Sequence, residues 1–283
     1  MYLEYYGLHL APFQLSPDPR FFYPSSVHKR ALAHLKYGLG QHEGFIVITG
    51  EVGAGKTTLV KHLLASLDSS RYLTANLVST QLQADDLVRM VAGALDIARI
   101  DVDKASLLRA IEQTLVARLR GGQHCLLMVD EAQNLSVEAL EELRMLSNFQ
   151  FNNTPLVQSF LLGQPQLRRI LGRPDLSQLR QRVIASYHLG PMSEGETANY
   201  VLHRLQLAGW KFNPSIDPGA MLQIHHHSGG IPRRINTLCT RLLLFGALEE
   251  LHNIDAAAVD MVQEDLDAEF RQVVEEEPVP YWN

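Results

Sequence analysis

Residues 50–57 read Gly50-Glu51-Val52-Gly53-Ala54-Gly55-Lys56-Thr57, and this stretch decides the fold. It fits G-x-x-x-x-G-K-[ST], a loop whose backbone N–H groups wrap phosphates. Before it, Phe45-Ile46-Val47-Ile48-Thr49 is apolar or β-branched and reads as a buried strand. After it, Thr58-Leu59-Val60-Lys61-His62-Leu63-Leu64 reads as a helix. Strand, glycine loop and helix together are the context the motif requires. Gly50, Glu51, Val52, Gly53, Ala54, Gly55, Lys56, Thr57 and Thr58 are therefore the candidate phosphate-binding residues. The loop N–H groups and the helix N-terminus offer a positive end to the phosphates of a nucleotide. Lys56 would reach the β- and γ-phosphates, and the Thr57 hydroxyl would hold Mg²⁺.

A second apolar run, Cys125-Leu126-Leu127-Met128-Val129, ends in Asp130-Glu131. An acid at the C-terminal end of a buried parallel strand lies where such sheets bind ligands. Asp130 would position Mg²⁺ through water, and Glu131 would polarise the attacking water as general base. Acids at a strand exit also cap helices, the plainer reading if the glycine loop were absent. A Glu directly after the Asp indicates the NTPase branch with an extra strand between the two motif strands.

Further apolar runs at 73–78, 157–162 and 183–189 alternate with helices beginning near Lys56, Asp85, Ser106, Val137 and Gln164. Alternating strands and helices imply an α/β fold, a three-layer αβα domain with a five-stranded parallel sheet. After Pro191 the pattern becomes all-helical. Ser193-Glu194-Gly195-Glu196 reads as a capping box, and further helices start near Pro218, Pro232 and Asp255. The expected organisation is an N-terminal segment over 1–43, a core over 44–190, a small helical lid over 191–270 and an acidic tail over 271–283. In the first of these, Pro12, Pro17, Pro19 and Pro24 precede a helical stretch carrying Leu32, Leu35 and Leu39.

Composition sets the class. Hydrophobic residues make up 46% of 283 and charged ones 20%, enough to bury a real core. The net charge is −6, yet seven acids and one base fall between Glu264 and Glu277, leaving 24 of each sign in the body. A neutral body argues against a large constitutive nucleic-acid surface. Cys125 and Cys239 sit in apolar stretches without metal-ligand spacing, which suits a reducing compartment. No stretch approaches the roughly 18 apolar residues of a spanning helix. Met1-Tyr2-Leu3-Glu4-Tyr5-Tyr6 lacks the basic start of a signal peptide. The expected location is the cytoplasm, with any membrane association coming through a partner. His225-His226-His227 looks like a metal tract, but consecutive histidines on a helix point in different directions.

The ordered set of motifs resembles the AAA+ ATPases of the ExeA or GspA secretion type, and within them the secretion ATPase associated with exosortase (PEP-CTERM) loci. The matching residues are Phe13, Pro17-Asp18-Pro19-Arg20-Phe21-Phe22-Tyr23-Pro24, residues 50–58 and Asp130-Glu131-Ala132-Gln133-Asn134-Leu135. They continue with Gly163-Gln164-Pro165, Leu179-Arg180-Gln181-Arg182 and Gly230-Ile231-Pro232-Arg233-Arg234-Ile235-Asn236. The resemblance implies further roles. Gln164 stands where such proteins place a polar sensor of the γ-phosphate, although Gly-Gln-Pro also reads as an ordinary turn. Arg180 and Arg182 match the arginine-finger region, which projects into a neighbouring subunit's nucleotide; arginine-rich helices are also solvated faces. Arg233 matches the lid arginine that points back at the γ-phosphate. Phe22, Tyr23, Pro24 and His28 would lie near adenine, so that the N-terminal segment packs on the nucleotide site. Asn76 could restrain Glu131. The same resemblance implies a homo-oligomer when ATP or ADP is bound, and a membrane-associated secretion or polysaccharide-export partner. The alternative is a DNA-associated regulator of the transposition-accessory type.

Overall fold

The computed structural model describes residues 1–15, 19–78, 83–98 and 102–275. Pro17 and Asp18 of the N-terminal motif, and residues 276–283 of the acidic end, lie outside them. The chain divides into two compact units, Ser26–Gly190 and a second one made of Met1–Ser25 with Pro191–Asn283.

In the first unit the strands are β1 (Phe45–Gly50), β2 (Tyr72–Val78), β3 (His124–Asp130), β6 (Val157–Gly163) and β7 (Val183–Leu189), with a short hairpin, β4 (Gln150–Phe151) and β5 (Thr154–Pro155), before β6. The five long strands form one sheet in the order β2-β3-β6-β1-β7, with every adjacent pair parallel. β6 thus lies between β1 and β3, the extra strand expected from the Asp-Glu pair. β1 and β6 are buried at every position, which is why both read as unbroken apolar runs rather than alternating ones.

Helices α2 (Ser26–Leu39), α3 (Lys56–Ala65), α4 (Ala84–Ala94), α5 (Lys104–Arg120), α6 (Val137–Leu146), α7 (Gln166–Leu171) and α8 (Ser177–Gln181) cover the sheet. Phe45 and Val47 point into a core with Leu87 and Val88 of α4, Ile111 of α5 and Leu140 of α6. Ile46, one position along and so on the opposite face, meets Gly38 of α2, which has no side chain to keep it away. These are the three layers. The buried Cys125 belongs to this core, and burial pushes its thiol up to about 12.

The second unit contains α1 (Tyr2–Tyr6), α9 (Glu194–Leu207), α10 (Pro218–Ser228), α11 (Pro232–Leu248) and α12 (Ala256–Glu275). The capping box is formed: Ser193 Oγ accepts from the Glu196 N–H at 3.4 Å, and Glu196 Oε2 accepts from the Ser193 N–H at 3.1 Å. The bend between α10 and α11 uses Gly229 and Gly230, both at positive φ; a Cβ on Gly230 would lie 2.3 Å from the Met192 carbonyl.

Three expectations are corrected here. The segment 1–43 is not one body. Tyr6, Leu8 and Phe13 are buried in the core of the helical unit, whereas Ala31, Leu35 and Leu39 of α2 are buried in the α/β unit. Arg204 of α9 explains the first attachment: buried itself, it donates to the Pro12 carbonyl at 2.5 Å and the Gln14 carbonyl at 3.4 Å. The helical unit is also not purely helical, since β8 (Ser215–Ile216) and β9 (Asn253–Ile254) pair in parallel. Finally, α12 runs without a break across residue 270 to Glu275, so residues 271–275, expected in the tail, continue the last helix.

Candidate nucleotide site

The parallel register brings the motif ends together. Thr49 stands beside Gly163 across β1 and β6, and Val129 beside Leu161 across β3 and β6. The glycine loop after β1, the acids after β3 and Gln164 after β6 therefore open on the same edge of the sheet. This is the edge where open α/β sheets bind ligands.

Within the loop, Gly55 adopts φ +93° as the residue before α3, and a Cβ there would stand 3.0 Å from His28 Nε2. Both conditions select glycine. Lys56 is buried and its ammonium donates to the carbonyls of Gly50 at 2.9 Å and Glu51 at 3.0 Å, which curls the loop around it. Thr57 Oγ1 donates to Asp130 Oδ2 at 2.6 Å, joining the α3 start to the end of β3. Asp130 Oδ1 accepts from the Glu131 N–H at 2.9 Å. A hydroxyl and a carboxylate are hard oxygen donors, the set that suits Mg²⁺ held jointly with phosphate oxygens. Among the described residues no group of three or more His, Cys, Asp or Glu side chains forms a metal cluster by itself.

Glu131 has φ +52°, an uncommon conformation for a residue with a side chain. It turns the chain out of β3 into a short 3-10 turn, Ala132–Asn134. Its Oε2 accepts from Gln133 Nε2 at 2.6 Å and from Gln164 Nε2 at 3.3 Å. Gln133 carried no role in the sequence reading, because a position two residues from an acid says nothing of a contact across to β6. Asn76, the residue suggested as a restraint on Glu131, is exposed on β2 beside Met128.

The two arginines are placed differently. Both precede β7, and the Arg182 carbonyl accepts from the N–H of Phe45, the first residue of β1. They thus stand at the opposite end of the sheet from the loop, about 20 Å away at ~3.3 Å per strand residue. Arg182 is half-buried and donates to the Ser147 carbonyl at 3.1 Å and to Ser147 Oγ at 2.8 Å. Arg180 is exposed and, among the described residues, donates to the carbonyls of Gly172 and Leu171, at 3.1 and 3.5 Å.

Arg233 belongs to the helical unit, exposed on the first turn of α11. Phe22, Tyr23 and Pro24 also belong to that unit, where Tyr23 packs against Tyr200 and His203 with ring centroids 5.9 and 5.5 Å apart. Of the expected adenine neighbours, His28 alone is in the α/β unit, buried against the loop. His225 Nδ1 pairs with Thr197 Oγ1 at 2.9 Å and His227 Nε2 with Asp260 Oδ1 at 2.7 Å, on two different helices.

A five-stranded parallel sheet with a strand inserted between the glycine-loop strand and the acidic strand defines the fold of a P-loop AAA+ ATPase. Residues 39–171 match the sequence profile of the family described as AAA domain. The chain is similar to General secretion pathway protein A of Aeromonas hydrophila, 40% identical over 258 residues, a match covering 90% of this chain and 46% of that protein. It thus spans about half the length of that relative. In fold it is similar to the Aeropyrum pernix ORC2 protein in its ADPNP-ADP complexes, with TM-score 0.65, 14% identity and coverage of 89% and 71% of the two chains. It is similar also to Drosophila ORC bound to DNA, with TM-score 0.67, 14% identity and coverage of 94% and 67%. At 14% identity these two likenesses speak of the fold alone. No described helix is long and apolar enough to cross a membrane.

Proposed function

We propose that this chain is a Mg²⁺-dependent ATPase serving a bacterial export system of the secretion type its relative is named for. The observation that carries the chemistry is the 2.6 Å hydrogen bond from Thr57 to Asp130, with Glu131 next in the chain. It supports reading the glycine loop, the Thr57–Asp130 pair and Glu131 as one phosphate, metal and base site. On ATP binding, Lys56 would exchange the Gly50 and Glu51 carbonyls for the β- and γ-phosphates. Thr57 and Asp130 would hold Mg²⁺, which supplies charge neutralisation for the phosphates when bound. Glu131 would accept the proton of the attacking water, and Gln164 would contact the γ-phosphate beside it. Arg233 would report the γ-phosphate to the helical unit. The base and metal groups are all supplied by one chain; for a further positive charge on the far side of the γ-phosphate we assign Arg180 of a second copy. Arg182, held by Ser147, is assigned to tying α6 to the start of β7.

The secretion role rests on the 40% identity to a general secretion pathway protein, and attachment to an exosortase or polysaccharide-export system rests on the motif resemblance alone. Location at the cytoplasmic side, peripheral to the inner membrane through a partner, belongs to the same proposal. The test is phosphate release by the full chain with and without Mg²⁺, alongside nucleotide binding. Lys56→Ala should lose binding. Glu131→Gln should bind ATP and turn it over at least roughly 100-fold more slowly, the upper range of a general-base contribution being about 10⁴. A Glu131→Gln variant as fast as the parent would remove Glu131 from the mechanism.

A further inference from the structure

We propose that Gln133 is a positioning residue for hydrolysis: its side-chain amide clamps the Glu131 carboxylate and is itself hung from the exit of β6. The inference rests on the reading of Glu131 as the base and adds to it a specific holder.

The geometry is a closed chain of contacts. Gln133 Nε2 donates to Glu131 Oε2 at 2.6 Å, a hydrogen bond to an ionised acceptor and so of the stronger kind. Gln133 Oε1 accepts from the backbone N–H of Gln164 at 3.0 Å. Gln164 Nε2 closes the ring onto the same Glu131 oxygen at 3.3 Å. The amide orientation follows from the chemistry, because the backbone N–H of Gln164 needs an acceptor and the carboxylate needs a donor. Turning the amide over would set a carbonyl against a carboxylate. A longer contact, 3.5 Å, runs from the same Nε2 to Asn134 Oδ1.

Two further features leave room for this arrangement. A Cβ on Gly163 would stand 2.8 Å from Gln133 Oε1, so the absence of a side chain at the end of β6 is what admits the amide. The left-handed Glu131 folds the chain back, and the fully buried Ala132 anchors the turn that carries Gln133 toward β6. Without Gln133, the Glu131 carboxylate would keep among the described residues one 3.3 Å contact, and that one comes from Gln164, the group proposed to contact the γ-phosphate. Gln133 therefore holds the acid in place whether or not Gln164 is engaged elsewhere, and it joins the ends of β3 and β6 across the site.

The test compares the full-length parent with Gln133→Ala, Gln133→Glu, Glu131→Gln and the double variant Gln133→Ala/Glu131→Gln. The measurements are kcat, ATP Kd and thermal midpoint. Gln133→Glu keeps the shape and the acceptor but sets a carboxylate where the donor faced Glu131, and Gln133→Ala removes the donor without adding charge, so a loss common to both reports the missing donor rather than repulsion. Both Gln133 variants should lose roughly 10- to 100-fold in kcat, the usual effect of removing a residue that orients a reacting group, with ATP Kd within about twofold of the parent. The double variant should be no slower than Glu131→Gln alone, since both changes disable one unit. A Gln133→Glu variant with parental kcat, or a loss confined to Kd, overturns the clamp while leaving Glu131 as the base. A fully active Glu131→Gln overturns both readings together.

Discussion

Arg180 and Arg182 stand two positions apart and look interchangeable in the sequence, but their surroundings separate them. Arg182 spends its guanidinium on the carbonyl and hydroxyl of the buried Ser147, whereas Arg180 is exposed on α8. Arg182→Ala should lower stability by roughly 1.5–3 kcal/mol, the range for hydrogen bonds made by a charged group, visible as a lower urea midpoint. Arg180→Ala should leave that midpoint within error and remove most of the turnover. Equal destabilisation by the two changes would show that exposure does not distinguish them. The difference could not be read from the sequence, because the partner of Arg182 lies 35 positions away at the end of α6. The same limit applies to Gln133. The loop and the two acids were readable because each is a local pattern attached to a strand, while Gln133 acquires its contact only once β6 is placed beside β3.

The elements themselves were largely visible. β1, β3 and β6 are buried runs bounded by glycine or acid, and α9 announces its start through Ser193 and Glu196. Ser193→Ala removes the acceptor of that cap and should cost about 1 kcal/mol, read as a drop in the thermal midpoint that Ser193→Thr largely avoids. An unchanged midpoint would mean the box is not formed in solution. What could not be read is how the first 25 residues attach. A proline-rich segment has no period to announce a face, and its anchor, Arg204, sits on a helix 190 positions after Gln14. The end of α12 falls five residues beyond the expected 270 because the acidic stretch that follows carries no apolar period by which the sequence could extend the helix.

If Arg180 serves a neighbour's nucleotide, two copies are needed to complete one site. Lys56, Thr57, Asp130, Glu131 and Gln164 gather at one edge of the sheet, while Arg180 stands before β7 at the other end, too far to serve its own loop. Two defective copies should therefore repair each other. Arg180→Ala keeps a complete nucleotide loop and lacks the arginine; Lys56→Ala lacks the loop charge and keeps the arginine. The most direct measurement is phosphate release over mixing ratios of these two full-length variants, at a concentration where sizing shows them assembled. Activity well above the sum of the separate variants, greatest at intermediate ratios, is the expected result. Activity that stays at that sum at every ratio would contradict it.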